Sequence, residues 1–301
     1  MRVAVTGSTG RLGSALMAAL GDAPFTGPAG PIAWVRADFD LDSPFGVTAA
    51  LDRGRPEVVV HTAAWTDVDG CARDPELAMR RNGIATGVLA TACAERGIDL
   101  VVMSTNEVFS GLRTDGQGYE PTDDTLPPNP YGLSKRAGEL AAIEAFDVAR
   151  GAGRVGIART AWLFGPPGRD FPRKILEAAE RAAAAGDPLP VVDDEWGTPT
   201  YAHDVADAIV ELLADDAHSG IHHLVSGPPA TRADWASDII DRFRLGATIQ
   251  RVPAAMWERA SSPPPWGVLA PTPLPSGEPI RPWPPAMADY APLLRRALAQ
   301  R

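Results

Sequence analysis

The sequence predicts an α/β chain built on a doubly wound parallel sheet, with a smaller lobe formed by its C-terminal part. Three observations carry this. Short apolar runs alternate with longer helical patterns through the first half, a glycine-rich turn follows the first of those runs, and beyond about residue 165 helices are separated by proline-rich loops.

In chain order, the strand-like runs are Met1–Thr6, Ile32–Val35, Val58–His61, Leu100–Ser104 and Val155–Ala158. Their nearly continuous aliphatic character fits strands covered on both faces. Helical patterns at Arg11–Leu20, Pro75–Arg96 and Ser134–Arg150 lie between them. Strand, helix and strand in succession imply right-handed crossovers and parallel strands. Further helical patterns follow at Pro172–Ala185, His203–Asp215 and Arg232–Phe243, and the density of proline from Ser261 to Pro285 excludes a long helix there. The chain divides into a first domain at 1–165 and a smaller lobe at 166–301, some of whose segments are expected to return to the sheet.

With 301 residues, 45% of them hydrophobic, the chain can bury a large core. Its formal net charge of −10 argues against nucleic acid and anionic membranes as partners, because both need a concentrated basic surface. No apolar stretch is long enough to span a membrane, and Met1–Val5 reads as a strand, not as a signal peptide; a cytoplasmic location is expected. Cys71 and Cys93 are the only cysteines, which points to neither a disulfide framework nor a cysteine-based metal site.

The turn after the first strand reads Gly7-Ser8-Thr9-Gly10-Arg11-Leu12-Gly13. Placed between a strand and an amphipathic helix, such glycines allow a tight turn, close approach of backbone to a pyrophosphate, and close packing of the helix, whose N-terminal amides favour an anion. That makes the first domain Rossmann-type and dinucleotide-binding. After the second strand come Arg36, then Asp38, Asp40 and Asp42. Arg36 meets a 2′-phosphate or is a solvated loop residue; on balance NADPH is favoured, with NADH as the alternative.

The Gly-x-x-Gly-x-x-Gly spacing resembles the extended short-chain dehydrogenases, which use a Tyr-x-x-x-Lys pair. This chain has Tyr131-Gly132-Leu133-Ser134-Lys135, although it holds only four tyrosines, and Lys135 and Lys174 are its only lysines. A phenol exchanges protons near neutral pH only with help from its surroundings, and one helical turn places a lysine beside it. Further stretches resemble one branch of that family, the dTDP-4-dehydrorhamnose reductases: Ala63-Ala64-Trp65-Thr66-Asp67-Val68-Asp69, Asn82, Asn129-Pro130-Tyr131-Gly132, Arg159–Gly165, Val191–Thr200 and Arg281-Pro282-Trp283. The resemblance implies reduction of the 4-keto group of a nucleotide-linked deoxysugar. Tyr131 would protonate the oxygen, Thr105 would hydrogen-bond it, and Lys135 would lower the phenol's pKa and hold the ribose. It further implies that Gly7, Thr9, Gly10, Arg11, Leu12 and Gly13 cradle the cofactor, that Asp40 and Leu41 hold the adenine, and that Ala63, Ala64 and Trp65 run along it. Trp162 either lines the sugar pocket or is a core aromatic.

One departure stands out. The reductases usually carry Asp-Tyr where this chain has Asn106-Glu107, and the glutamate is more like that of the sugar-nucleotide 4,6-dehydratases. Asn106 cannot act as an acid. Glu107 is a base near the sugar ring, an orienting group for a hydroxyl, or a satisfied loop carboxylate. A dehydratase, epimerase or decarboxylase with retained NAD is therefore the second reading, and a non-catalytic nucleotide-binding subunit the third. A homodimer is expected and no metal: His222 and His223 face opposite sides of a strand, and Asp193-Asp194-Glu195 reads as a turn.

Overall fold

The computed structural model describes residues 1–149, 151 and 153–299. All five runs read as strands lie in one six-stranded parallel sheet as β1 (Val3–Thr6), β2 (Ile32–Trp34), β3 (Val58–His61), β4 (Asp99–Thr105) and β5 (Val155–Thr160). The strand Gly220–His223, from the second half of the chain, pairs with β5 and completes the order β2-β1-β3-β4-β5-(220–223). Every residue of β1, β3 and β4 is buried, as a sheet covered on both faces requires.

Alternation along the strands sorts the two faces. Val3, Val5, Val58, Val60, Val101 and Met103 pack with the helices Arg11–Asp22 and Ala202–Ala214. Ala4, Val59, Leu100, Val102 and Ile157 face the helices Val47–Gly54, Ala85–Ala94 and Pro130–Ala149. The chain leaves β1 for β2 on one side and returns to place β3 on the other. This reversal opens a crevice at the carboxyl ends of β1 and β3, the usual ligand position in such sheets.

A separate core lies in the second half, where Trp235, Phe164, Ile239, Trp283, Met287 and Tyr290 pack together. It is enclosed by the helices Phe171–Ala185, Arg232–Phe243 and Trp283–Ala299 and by the parallel pair Leu189–Val192 and Ile249–Val252. The last helix was not expected from the sequence, because three prolines obscure its pattern. Pro284 and Pro285 stand in its first turn, where a missing N–H costs nothing.

Two boundary differences matter for the site. The helical pattern Pro75–Arg96 is interrupted by a π-helical turn, Met79–Ile84, which carries the buried Asn82. The helix expected from Ser134 starts at Pro130, so Tyr131 stands in its first turn; Arg150, the expected end, lies outside the described residues.

Candidate active site

Each glycine of the turn after β1 meets a different steric demand. Gly7 has φ +61°, a left-handed conformation that side chains disfavour, and a Cβ there would lie 3.0 Å from the Ala63 backbone. At Gly13 a Cβ would come within 2.1 Å of the Gly7 carbonyl oxygen, so only glycine lets the helix pack this closely under the turn. Gly10 caps that helix without a side-chain hydrogen bond, which leaves amide donors for an anion.

From this turn a cavity of about 350 Å³ runs along Gly7, Thr9, Gly10, Ala63, Ala64 and Trp65 to Arg36, Asp40 and Leu41. A second cavity, of about 430 Å³, shares Gly10 and Ala64 with it and reaches Arg11, Leu12, Thr105, Asn106, Glu107, Tyr131, Lys135 and Trp162. All the residues expected from the sequence line one of the two, except Gly13, which lies beneath the turn. Arginines at one end, the free amides of the glycine turn in the middle and a buried lysine at the other end fit an elongated anionic cofactor such as a nicotinamide dinucleotide.

Close backbone contact assembles the Tyr131 end of the second cavity. A Cβ at Gly132 would sit 2.0 Å from the Glu107 carbonyl oxygen, so the helix start presses directly on the loop after β4. This brings the Tyr131 phenol within hydrogen-bonding reach of Thr105. The Ser134 hydroxyl donates to the Tyr131 carbonyl at 2.8 Å and accepts from Asn82 at 3.1 Å; Asn82 in turn holds both backbone groups of Trp65. One chain of bonds thus ties the Trp65 wall of the first cavity to the helix that carries Tyr131 and Lys135.

Burial brings the Lys135 ammonium down to about 8, against the opposing charge of Glu139 one turn on. The same environment, with Lys135 adding to it, holds His61 at about 3. That imidazole is neutral and bridges Thr6 (2.8 Å) and Thr86 (3.1 Å). Tyr131 departs from the expectation that Lys135 would lower its pKa: burial, then the charges of Glu107 and Cys71, push the phenol up, and Thr105 only partly offsets them. Desolvation of the phenolate outweighs its polar neighbours here.

The Asn106-Glu107 pair divides its tasks. Asn106 donates from Nδ2 to the Gly267 carbonyl at 3.1 Å, which turns its Oδ1 toward the Thr105 hydroxyl at 3.3 Å. It clips the post-β4 loop to the proline-rich segment. Glu107 lies in the cavity with one carboxylate oxygen 2.6 Å from Asn129 Nδ2. Burial raises its carboxyl, opposed by Asn129, Arg232 and Arg259. Glu107 is thus a hydrogen-bonded carboxylate that also lines the cavity.

Trp162 has φ +43°, a strained conformation for a bulky side chain of the kind that clusters at ligand sites. Its indole stacks on Trp235 at 6.0 Å and carries the Arg232 guanidinium 3.5 Å above its ring. Arg232 was not found from the sequence. The Thr231 to Asp234 capping box marks its helix start, but no sequence signal gives the direction of its side chain. Burial pulls Arg232 down to about 10, and its nearest carboxylate, Glu195, is 3.9 Å away. Its side chain is about one-quarter exposed, faces the cavity, and makes no side-chain hydrogen bond among the described residues.

Asp193 pairs with Arg251, Asp194 accepts from the Ala254 amide, and buried Glu195 pairs with Arg259. His223 is buried and His222 half-buried, and no three metal-ligating side chains cluster among the described residues.

Comparison with known proteins agrees with this geometry. The model of the family described as RmlD substrate binding domain matches residues 1–291. A dTDP-4-keto-6-deoxy-D-glucose reductase of Streptomyces niveus is 36% identical over 301 residues, 96% of each chain. A dTDP-4-dehydrorhamnose reductase of Streptomyces griseus is 38% identical over 253 residues, 82% of this chain and 77% of that one. Among solved structures, a dTDP-4-dehydrorhamnose reductase of Clostridium acetobutylicum superposes with a TM-score of 0.87 at 26% identity, over 98% of this chain and 100% of that one. That of Bacillus anthracis, in complex with NADP, gives 0.84 at 26% identity over 96% and 98%. The chain belongs to the RmlD substrate binding domain family, in the dTDP-4-dehydrorhamnose reductase-like branch of the extended short-chain dehydrogenases.

Proposed function

We propose that this protein is an NAD(P)-dependent oxidoreductase that reduces the 4-keto group of a dTDP-linked 6-deoxysugar, with NADPH as the favoured reductant. The observation that carries this is the convergence of Thr105, Tyr131 and Lys135 at the end of the cleft that starts at the glycine turn. When bound, the reduced nicotinamide supplies the hydride for the carbonyl carbon. Thr105 and Tyr131 hold the carbonyl oxygen, and the phenol gives it a proton as negative charge develops there. A phenol with a raised pKa keeps its proton until an alkoxide, a stronger base, demands it. Lys135 contributes positive charge and donors for the cofactor ribose. Trp162 stacks against the sugar, and Arg232 offers its free donors to the diphosphate.

The direct test supplies the purified protein with dTDP-4-dehydrorhamnose or dTDP-4-keto-6-deoxyglucose and follows NADPH. Stoichiometric, substrate-dependent oxidation is expected. The position of Glu107 beside Tyr131 favours one second reading, a dehydratase or epimerase with retained NAD; turnover by the purified protein without added reductant would replace the first reading with that one. Arg232→Met is expected to raise KM for the nucleotide sugar by about tenfold or more, the worth of a charge-assisted hydrogen bond, with cofactor affinity unchanged. An unchanged KM would remove Arg232 from the diphosphate site.

Under this reading residues 1–165 form the cofactor domain and 166–301 the substrate lobe, with Gly220–His223 returned to the sheet. The protein acts in the cytoplasm as a homodimer with no nucleic-acid or membrane partner. Its net charge of −10, the lack among the described residues of a helix long and apolar enough to cross a membrane, and the exposed Leu133 and Leu140 two turns apart on one helix support this.

A further inference from the structure

At the far end of the cofactor cavity two arginines from separate elements close on one carboxylate. Arg81, on the π-helical turn, reaches Asp42 through Nε at 2.6 Å and Nη2 at 2.8 Å. Arg36, just after β2, reaches the same carboxylate through Nη2 at 2.7 Å, and its Nε lies 3.3 Å from Asp40. The Arg81 guanidinium is seated over the Trp65 ring, 5.3 Å from its centroid. All five side chains line the cavity that begins at Gly7 and Gly10.

Two planar guanidinium groups directed at two oxygens of one anion form the donor pattern that suits a phosphate monoester. The part of a dinucleotide that reaches past the second strand is the adenosine ribose, where NADPH carries a dianionic phosphate and NADH a hydroxyl. Arg36, Arg81, Asp40 and Asp42 together carry no net charge. A 2′-phosphate can take the two guanidinium groups only if Asp42 leaves them, and Asp42 is about one-third exposed, with solvent to turn into. A ribose hydroxyl needs no such displacement, because it can donate to the carboxylates where they stand.

We propose that Asp42 occupies a two-arginine 2′-phosphate site and thereby sets the balance between NADPH and NADH, holding the protein closer to parity than Arg36 and Arg81 alone would. The inference rests on the nicotinamide-dependent reading above and adds to it the residues that discriminate between the cofactors. It also gives Arg81 a role that sequence reasoning, which considered Arg36 alone, did not.

The test is calorimetric titration of wild type, Asp42→Asn and Arg81→Met with NADPH and NADH, and with 2′-AMP and 5′-AMP as probes of the adenosine end. Asp42→Asn is expected to tighten NADPH and 2′-AMP by about tenfold, with NADH and 5′-AMP changed less than about twofold, because one competing anion has been removed. Arg81→Met is expected to weaken NADPH and 2′-AMP about tenfold with little effect on NADH. Weaker NADPH binding in Asp42→Asn would show that Asp42 only braces the arginines, and a parallel change in both cofactors would show that it does not discriminate; either outcome overturns the proposal. If the wild-type protein binds neither dinucleotide, the nicotinamide reading itself fails. If it binds both and the variants leave their ratio unchanged, only the role of Asp42 fails.

Discussion

Tyr131→Phe is expected to lower kcat/KM for the keto sugar by about 10²- to 10⁴-fold, the usual worth of a positioned general acid, while the dissociation constant of NADPH stays within about twofold. The ring remains to pack against the helix start, so the variant should fold and bind cofactor as wild type does. Only the proton is lost. Phenylalanine leaves Thr105 as the sole hydroxyl at the substrate oxygen, and that hydroxyl is already engaged by the Glu107 amide at 3.2 Å and by Asn106. Single-turnover mixing of preformed enzyme–NADPH complex with substrate separates the chemical step from binding. Wild-type rates in the variant would show that another group delivers the proton, and Glu107, held by Asn129 in the same cavity, would then be the first candidate.

The Tyr131–Lys135 pair was legible from the sequence because covalent connectivity fixes its spacing. A tyrosine and a lysine one turn apart on a helix, and a glycine turn after a strand, have the same relation in any packing of the chain. The π-helical turn at Met79–Ile84, which presents Asn82 inward and Arg81 toward Asp42, gives no such signal, because its register depends on the packing around it. Arg232 was invisible for a similar reason: its helix start could be read, but its position over Trp162 depends on the left-handed turn at Trp162 and on the absence of a side chain at Gly197, whose Cβ would lie 2.4 Å from the indole. The direction of the Tyr131 shift also required the structure. Sequence spacing places a lysine one turn from the phenol but does not give the burial and the Glu107 charge that push the phenol up.

Behind the catalytic helix lies a pair whose disruption should affect both stability and pH dependence. Glu139 is fully buried and receives two bonds from Arg159, Nε at 3.0 Å and Nη2 at 2.9 Å, with Arg136 at 3.3 Å. Arg159 is 1% exposed, lies 5.0 Å over the Phe109 ring, and faces neutral His223, whose pKa burial and Arg159 depress to about 3. A buried pair of this kind adds little net stability over an apolar replacement, but removing one partner strands the other charge. Glu139→Ala should therefore cost about 3–5 kcal/mol and lower Tm by roughly 10 °C. Glu139→Gln keeps the shape and isolates the electrostatic role. In the wild type the protonated Lys135 that the proposed mechanism needs is present below a pKa of about 8 and is lost as pH rises through it, so kcat/KM should fall on that limb. The groups facing Lys135 are Glu139 on its own helix, which supports the cation, His61 from β3, which is neutral, and Tyr131, whose phenol is uncharged. Removing the one supporting charge should move the limb to lower pH in Glu139→Gln. A lower Tm with an unmoved limb would mean that Glu139 serves only to neutralise Arg159, whereas a moved limb identifies it as the residue that keeps the catalytic lysine charged.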